Sequence, residues 1–410
     1  MQPGRFILLT CAALVALASP TGAAPDEELL GKAAGYPIGS RANWFYDETV
    51  RVGSFSHVDQ ILPYYATLAK SAAPLRLPTA ERAQLVTYRF QNENCSIDDF
   101  LAHQRVTGLL LIKDGEILAE RYQYDRKPDN RFISHSMAKS IVSLAVGMAV
   151  ADGKIASLDD TIATYVPALS GNAYGETSIR NTLRMSSGVR FLETYSGDDD
   201  IAKFGRIRVT QDSVTALRAF TEREAEQGTR FHYASSETVA LTLLVRAVTG
   251  VSLSEYLTNR LWQPMGAEAD ATWTRTRDGS EAGSGNFNAV LRDYGRLGIL
   301  LANDGALSGR QIVPKDYLLE ATDWHRQPAA FTPRRATPYF GYGYQFWLFP
   351  GEKRRFALLG VYGQSIFVDP ELKLVLVVTA AAKNANVTRE SFARERDALW
   401  RGVVDRYGSW

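Results

Sequence analysis

The sequence predicts a mixed fold, α/β of the α+β type, in which an antiparallel sheet is flanked by helices and a mostly helical region is inserted. Strand-like runs lie early, within residues 107–124, and late, within residues 340–381. Between them, residues 156–300 repeat their apolar positions at intervals of three and four, as amphipathic helices do. The late runs are joined by short turns, which favours antiparallel pairing over a doubly wound parallel sheet.

The first strands are expected as a hairpin. In residues 107–124 two apolar runs flank Asp114 and Gly115, a dipeptide that is typical of tight hairpin turns. Turns at Pro350 and Asp369 separate the later strands. These strands are expected at 340–349, 355–370 and 372–381. We expect the early hairpin to join the same sheet.

Helical patterns fill the middle and the end of the chain. An apolar helix is expected from Ser136 to Asp152, where Gly153 ends it. A final helix is expected from Thr388 to Tyr407. Four further stretches show helical spacing of their apolar residues: 177–189, 213–220, 236–250 and 288–304.

Composition and charge limit the classes of partner. The 410 residues include 46 Lys and Arg against 45 Asp and Glu, a formal net charge of +1, and 45% of them are hydrophobic. These values are ordinary for a globular protein with one large domain or two interlocked ones. Because there is no basic surplus, no nucleic-acid partner is expected.

The first residues, MQPGRFILLTCAALVALASPTGAAPDEE, have the composition of a secretory signal peptide. Arg5 supplies a positive charge, and the apolar segment from Phe6 to Ala18 is too short to span a bilayer. Residues 1–23 are therefore predicted to be a signal peptide of a bacterial protein that is periplasmic or secreted. No stable membrane insertion is expected after signal removal, and a short membrane-surface helix is the alternative.

The remaining chain is divided by composition alone. Residues 24–104 are mixed and rich in aromatic residues, and they are interpreted as a wrapping N-terminal segment. Residues 105–405 are interpreted as the main domain, with a helical subregion at about 156–300. Cys95 is the one cysteine left after signal removal, so no internal disulfide is expected, and it is interpreted as a structural thiol.

Ser136 and Lys139 stand three residues apart where the apolar helix is expected to begin. Residues three apart share a helix face, so the amine can reach the hydroxyl. Serine needs a base to act as a nucleophile, and burial lowers the pKa of a lysine enough for it to serve as one. Alone, however, S-x-x-K arises by chance about once in a chain of this length, as a surface serine beside a solvated lysine.

Two later stretches supply partners for this pair. Tyr233 precedes another helix of apolar residues, in 230-RFHYASSETVALTLLV-245. A phenol beside a cationic lysine ionises more easily, which makes Tyr233 either a base or proton shuttle, or a core tyrosine with a bonded hydroxyl. Further on, 360-GVYGQ-364 interrupts a strand, and glycine there often marks close approach of a ligand. The Gln364 N–H is a candidate donor to an oxyanion.

In this order, the motifs S-x-x-K, Y-x-S and a glycine-containing strand resemble the serine β-lactamase and penicillin-binding-protein superfamily. The chain is more closely similar to the class C-like branch, and within it to 6-aminohexanoate-dimer hydrolase-like serine hydrolases. The supporting stretches are SMAKSI, YVPAL, LRMSSGV, YASSETVALTLLV, LWQPMGAEADATW, RDYGRLGILLANDG and GVYGQSIFVDP. The resemblance covers roughly residues 105–405 and implies a β-lactamase-like fold.

The resemblance implies a role for each matching residue. Ser136 would be the acylated nucleophile, Lys139 its proton partner and Tyr233 the general acid and base. The oxyanion would be held by backbone N–H groups from Ser136 and from the segment Gly363-Gln364.

The chain departs from the family pattern at two of its motifs. The second motif is usually Y-x-N, and here Ser235 stands in place of the asparagine, with a hydroxyl that reaches less far toward Lys139 or a substrate. The third motif is usually K-T-G or H-x-G, and here V-Y-G-Q offers Tyr362 as a binding candidate and no cation. In β-lactam recognition that cation binds a carboxylate, so a neutral ester or an internal amide is favoured as substrate.

One loop and several absent motifs complete the prediction. The stretch 193-ETYSGDDDIAKF-204 is either a solvated acidic loop or a lid that meets a substrate amine, and the resemblance makes Tyr195 a candidate substrate contact. His135 and His232 each precede a candidate catalytic residue and are interpreted as structural. No metal-ligand spacing or phosphate-binding loop is present, so no metal and no cofactor are expected.

Together these observations predict an exported serine hydrolase that cleaves a small-molecule amide or ester through an acyl-enzyme on Ser136. One alternative is a non-catalytic or weakly active relative that binds penicillin or cell-wall fragments, and another is a β-lactamase or esterase. A third is an exported module that binds carbohydrate or protein and matches the motifs by accident. The acyl substrate and the number of subunits stay open.

Overall fold

A computed structural model describes residues 24–81 and 86–410, so the predicted signal peptide lies outside the described residues. Its main sheet has seven strands, each antiparallel to its neighbours. In spatial order the strands are Gly341–Tyr342, Trp347–Leu348, Phe356–Leu359, Ser365–Asp369, Leu374–Ala380, Val106–Lys113 and Glu116–Tyr122. The expected class, an antiparallel sheet with helices on its faces, is confirmed.

The early hairpin forms at the expected turn and joins this sheet. Asp114 and Gly115 have φ angles of 52° and 83°, the left-handed values that a tight two-residue hairpin requires. The first strand of the hairpin ends at Lys113, just before these two residues, and the second begins at Glu116, just after them. The hairpin pairs with the strand Leu374–Ala380, which follows it by more than two hundred residues.

The main sheet is buried on both faces, because its side chains alternate between two cores. Leu110 and Ile112 face the larger core, which includes the helix Leu291–Ala302. Leu109 and Leu111 face the smaller core, which the C-terminal helix Phe392–Tyr407 completes. This arrangement explains why the central strands are apolar almost throughout, without the alternation of a half-exposed sheet.

The described α-helices are mostly short. They are Glu48–Ser54, Val58–Ile61, Ile97–His103, Ala138–Ala151, Ile162–Tyr165, Ile179–Leu183, Asp200–Thr210, Ser213–Arg218, Ser235–Thr249, Leu253–Leu257, Leu291–Ala302, Lys315–Thr322 and Phe392–Tyr407. Two differences from the sequence prediction matter for the site. A 3₁₀ turn, His135–Met137, precedes the helix Ala138–Ala151, and another, Val361–Gly363, divides the strand expected at 355–370.

A second sheet of four antiparallel strands crosses the region that was expected to be mostly helical. Its strands, in spatial order, are Tyr65–Leu68, Ala271–Thr274, Phe287–Val290 and Arg131–Ile133. Two-stranded ribbons lie elsewhere, at Thr87–Phe90 with Glu93–Ser96 and at Ala306–Leu307 with Arg310–Gln311. The two outer pairings of the four-stranded sheet join segments more than 150 residues apart, which leaves no local pattern, so the sequence analysis missed that sheet. The two short ribbons were not predicted either.

The N-terminal segment contributes to the interior of the main domain. Phe55 packs beside Tyr124, Ile133 and Tyr362 in one buried cluster.

Cys95 is buried and makes no disulfide, in keeping with its interpretation as a structural thiol. Among the described residues no single helix is long and apolar enough to cross a membrane. One pair of consecutive helices is long and apolar enough only when the two are taken together, and these helices are bent by 73° relative to each other.

Gln345 ties the main sheet to two helices that border the site. Its side-chain NH₂ donates to the carbonyls of Thr182 and Leu183 at 3.2 and 3.0 Å, and its side-chain oxygen accepts from the Thr238 hydroxyl at 2.7 Å. Its backbone carbonyl accepts from the Ser140 hydroxyl at 2.6 Å. Since Ser140 and Thr238 belong to different helices, one buried residue, Gln345, sets the position of both helices relative to the sheet.

Candidate active site

Ser136 lies in the 3₁₀ turn His135–Met137, between the strand Arg131–Ile133 and the helix Ala138–Ala151. The helix is apolar and almost fully buried, whereas the Ser136 side chain is partly exposed at its start. His135 has a φ of 43°, a left-handed conformation that costs energy for a residue with a side chain and is often found at functional sites. The sequence therefore places a serine hydroxyl at the accessible end of a core helix.

Lys139 is buried directly beneath this hydroxyl. Its Nζ lies 2.9 Å from Ser136 Oγ and donates to the Ser284 carbonyl at 2.8 Å, and the residue is only 2% exposed. Burial lowers the pKa of Lys139 to about 8, and the nearby charge of Glu193 acts in the opposite direction by raising it. An amine with a pKa near 8 is neutral in roughly a tenth of molecules at neutral pH, which is enough to accept a proton from serine.

Tyr233 lies on the other side of the same hydroxyl. Lys139 Nζ is 5.0 Å from the centre of its ring, and Trp347 stacks on the ring with centroids 5.6 Å apart. Burial and the charge of Glu193 raise the pKa of Tyr233, while the neighbouring Ser136 hydroxyl lowers it. The net shift is upward, opposite to the expected easier ionisation, so the phenol keeps its proton and the lysine is the stronger candidate base.

Tyr195 brings the acidic loop to the site. Its hydroxyl donates to Glu193 Oε1 at 2.5 Å, and the Ser136 hydroxyl is close enough to lower its pKa, although burial raises that pKa more. Asp199 braces this part of the loop by accepting from the N–H groups of Thr194 and Tyr195 at 2.7 and 2.6 Å. The loop is therefore built against the site at Tyr195, while Asp198 is exposed.

Ser235, which stands in sequence where the family pattern has an asparagine, makes no hydrogen bond with Lys139 in the described structure. Its hydroxyl donates to Glu193 Oε1 and its backbone N–H donates to Glu193 Oε2, both at 2.7 Å. The side chain is thus occupied by a carboxylate. The second contact of the Lys139 amine comes from the Ser284 carbonyl, in the segment Gly283–Gly285.

The glycine-containing segment approaches the serine turn through its first residue. Gly360 lies so close to the Ser134 carbonyl that a side chain there would collide with it, which explains the glycine. Gly363 has a φ of 97° and packs against Phe392. The Gln364 side chain is 1% exposed and donates to the Ala380 carbonyl at 2.7 Å, so its amide is not free for a substrate.

Tyr362 packs away from solvent, although the sequence made it a binding candidate. The residue is 3% exposed and has a φ of 59°. Its ring contacts Phe45, Phe55 and His135, with centroids 5.2 to 5.8 Å apart. The structure therefore places Tyr362 behind His135, as part of the support of the serine turn.

The two histidines next to candidate catalytic residues have structural surroundings. His135 is buried among aromatic rings, which lowers its pKa to about 3 and keeps it neutral. His232 Nε2 lies 2.7 Å from the Phe191 carbonyl. Across residues 24–81 and 86–410, no group of His, Cys, Asp or Glu side chains has an arrangement that could hold a metal ion.

Three residues of the site escaped the sequence analysis as individuals. Glu193 was noted only as part of an acidic loop, and its partner Ser235 lies more than forty residues away. Ser284 acts through a backbone carbonyl, which no side-chain pattern reveals. Trp347 lies in a strand-like run where an aromatic residue usually means core packing.

A family model described as Beta-lactamase matches residues 96–399, more than half of the chain. The protein therefore belongs to the Beta-lactamase family and has the fold of the serine β-lactamases and penicillin-binding proteins. The site described above lies within the matched residues.

Individual relatives narrow the comparison. The chain is 26% identical over 335 residues to the 6-aminohexanoate-dimer hydrolase of Paenarthrobacter ureafaciens, covering 79% of this chain and 83% of that protein. The solved structure "Putative 6-aminohexanoate-dimer hydrolase from Bacillus anthracis" superposes with a TM-score of 0.77 at 20% identity, over 90% of this chain and 98% of the other. "EstCE1, a hydrolase with promiscuous acyltransferase activity" superposes with a TM-score of 0.59 at 16% identity, over 74% and 96%.

Trp273 provides a test of how the Lys139 amine is held. Its Nε1–H donates to the Gly285 carbonyl at 2.8 Å, next to the carbonyl of Ser284 that receives the lysine. In Trp273→Phe this bond is lost and the segment loosens, so we expect a fluorophosphonate probe to label Ser136 about tenfold more slowly. The labelling rate is measured by intact-protein mass spectrometry.

Trp262→Phe is the matched control. Trp262 is equally buried and its Nε1–H donates to the Ala269 carbonyl at 3.0 Å, so its hydrogen bond does not involve the segment that holds Lys139. Both variants should lose similar stability in urea, about 1–2 kcal/mol, because each loses one buried hydrogen bond and some packing. Equal labelling rates in the two variants would contradict the role of the Gly283–Gly285 segment.

Proposed function

We propose that the protein is a serine hydrolase that cleaves an amide or ester bond of a small molecule through an acyl-enzyme on Ser136. The observation that carries the proposal is the 2.9 Å contact between Ser136 Oγ and the buried amine of Lys139. A surface lysine would be solvated and cationic, whereas this one has a lowered pKa and points to a partly exposed hydroxyl.

In the first half-reaction, Ser136 Oγ attacks the carbonyl carbon while neutral Lys139 accepts the hydroxyl proton. The tetrahedral intermediate collapses when the leaving amine or alcohol takes a proton from Tyr233. Lys139 then donates the proton it accepted from Ser136 to Tyr233. Because Tyr233 keeps its proton in the resting site, it is suited to this donation. In the second half-reaction the same groups activate water, which releases the acid and restores the Ser136 hydroxyl.

Two backbone N–H groups are proposed to stabilise the oxyanion. One is that of Ser136, which has no acceptor within the described part of the chain. The second comes from the segment Gly360–Gln364, where the sequence suggested Gln364. The first residues of this segment are partly exposed, and Gly360 touches the serine turn. The Val361 N–H is therefore better placed to donate to the oxyanion than the N–H of buried Gln364.

The surroundings favour an acyl group without a carboxylate. The Arg51 guanidinium is a cation next to the third motif, V-Y-G-Q, and lies 4.2 Å from the centre of the Tyr362 ring. Its guanidinium is 2% exposed and donates to the carbonyls of Ala382 at 2.8 Å and Tyr46 at 2.7 Å, so it is not available to a substrate anion. Arg51 is therefore not in a position to bind the carboxylate of a β-lactam.

The relatives support an amide among the candidate substrates. The similarity to 6-aminohexanoate-dimer hydrolases extends over most of the chain. Their names give a dimer of 6-aminohexanoate as the substrate, and two such units are joined by an amide, which is uncharged. We therefore propose linear amides and simple esters as the substrate class, and cyclic β-lactams as poor substrates.

Hydrolysis of three substrates by wild type and Ser136→Ala tests this proposal. We expect wild type to cleave p-nitrophenyl esters and a linear p-nitroanilide of 6-aminohexanoate faster than nitrocefin. Ser136→Ala should lose at least about a thousandfold in kcat/KM on each, because the nucleophile is gone. Initial rates are followed by absorbance.

Ser143→Ala is the matched control, since this buried hydroxyl lies in the helix that follows Ser136 and pairs with Tyr317 instead of the site. It should retain wild-type kcat/KM. Undiminished hydrolysis by Ser136→Ala would refute the acyl-enzyme, and absence of any hydrolysis by wild type would favour a non-catalytic binding protein. Nitrocefin as the best substrate would refute the argument from Arg51.

We also propose export, on the signal-like composition of residues 1–23. Expression of the full chain in a Gram-negative host should yield a periplasmic protein whose sequenced N-terminus is Ala24. An uncleaved protein in the cytoplasm would contradict this proposal.

A further inference from the structure

Glu193 makes three contacts that join two separate parts of the site. Its Oε1 accepts from the hydroxyls of Tyr195 at 2.5 Å and Ser235 at 2.7 Å, and its Oε2 accepts from the Ser235 N–H at 2.7 Å. Tyr195 belongs to the acidic loop and Ser235 begins the helix that follows Tyr233. One carboxylate therefore holds together the two segments that bring phenols to Ser136.

The start of the helix Ser235–Thr249 depends on this carboxylate. A helix leaves its first N–H groups without partners inside the helix, and a side chain at the preceding position usually supplies one. Here that position is Ala234, which has no side-chain oxygen. Glu193 supplies the acceptor from another segment of the chain, and its negative charge also suits the positive end of the helix.

We propose that Glu193 is a positioning residue of the site, which fixes the Tyr195 hydroxyl and the first turn after Tyr233 beside Ser136. This inference rests on the proposed function and adds to it a residue that does not itself touch the reacting atoms. The backbone agrees with such a role, since Tyr195 is held at a φ of 61°, which only a well-braced loop sustains. Asp199 provides the second brace of that loop.

The charge of Glu193 has a further effect on the base. The titratable groups that surround Lys139 are Glu193, Tyr233 and His135, with Tyr195 reached through Ser136. Both phenols keep their protons and His135 is neutral, so Glu193 is the charged member of the set. Its charge raises the pKa of Lys139, against the larger effect of burial. Loss of the charge should therefore lower that pKa.

The test is the pH profile of kcat/KM for a neutral p-nitrophenyl ester in Glu193→Gln. The amide oxygen of glutamine can still accept a hydrogen bond, but its NH₂ cannot accept from Ser235 or Tyr195. We expect the plateau to fall about tenfold, because the phenols are less well placed. We also expect the acidic limb of the kcat/KM profile to shift to lower pH by about 0.5–1 unit, because a lower pKa keeps Lys139 neutral at lower pH.

Asp198→Asn is the control for loss of one charge in the same loop. Asp198 is exposed and accepts from the Ser196 hydroxyl at 2.6 Å, and it makes no hydrogen bond with Tyr195 or Ser235. Its profile should match wild type. A Glu193→Gln plateau that falls without a downward shift of the profile, an unchanged profile, or an equal shift in Asp198→Asn would overturn the inference. These outcomes leave the proposed function intact as long as Ser136→Ala is inactive, and an active Ser136→Ala would refute that function instead.

Discussion

The burial of the Lys139 amine is the constraint on which the rest of the site depends. A lysine in water is cationic at neutral pH and cannot accept a proton from serine. Here a helix that is apolar on nearly every face removes the amine from water and lowers its pKa to about 8. The amine is still satisfied, because Ser136 Oγ and the Ser284 carbonyl are both within hydrogen-bond distance. The core that stabilises the protein therefore also lowers the pKa of the proposed base.

The architecture serves to bring distant segments to this amine. The strand Arg131–Ile133 delivers the serine turn, and the neighbouring strands of the second sheet flank the segment that carries Ser284. The main sheet delivers Gly360 to the same turn from the other side. Gln345 fixes the two helices relative to the sheet, and Glu193 joins Tyr195 to Ser235, at the start of the helix that follows Tyr233. These contacts are made by backbone groups and by polar side chains, of which Gln345 is buried and Glu193 is partly exposed.

Sequence reasoning succeeded where the signal was local. The hairpin at Asp114, the core helix after Ser136 and the position of Tyr233 were found because turn chemistry, apolar periodicity and motif spacing are properties of short stretches. The second sheet was missed because its two outer pairings join segments far apart in the chain. Glu193 was missed for the same reason, and the upward pKa shift of Tyr233 was missed because burial is a property of the folded protein.

The protonation state of Lys139 is the most direct test of this account. Heteronuclear NMR of protein labelled at the lysine side chains, with the Lys139 signal assigned by its loss in Lys139→Met, follows the titration of that one amine. The account predicts a midpoint at a pH of about 8 for Lys139, while solvated lysines titrate near their ordinary value of about 10.4. A Lys139 signal that titrates together with the solvated lysines would show a cationic residue and would contradict the proposed mechanism.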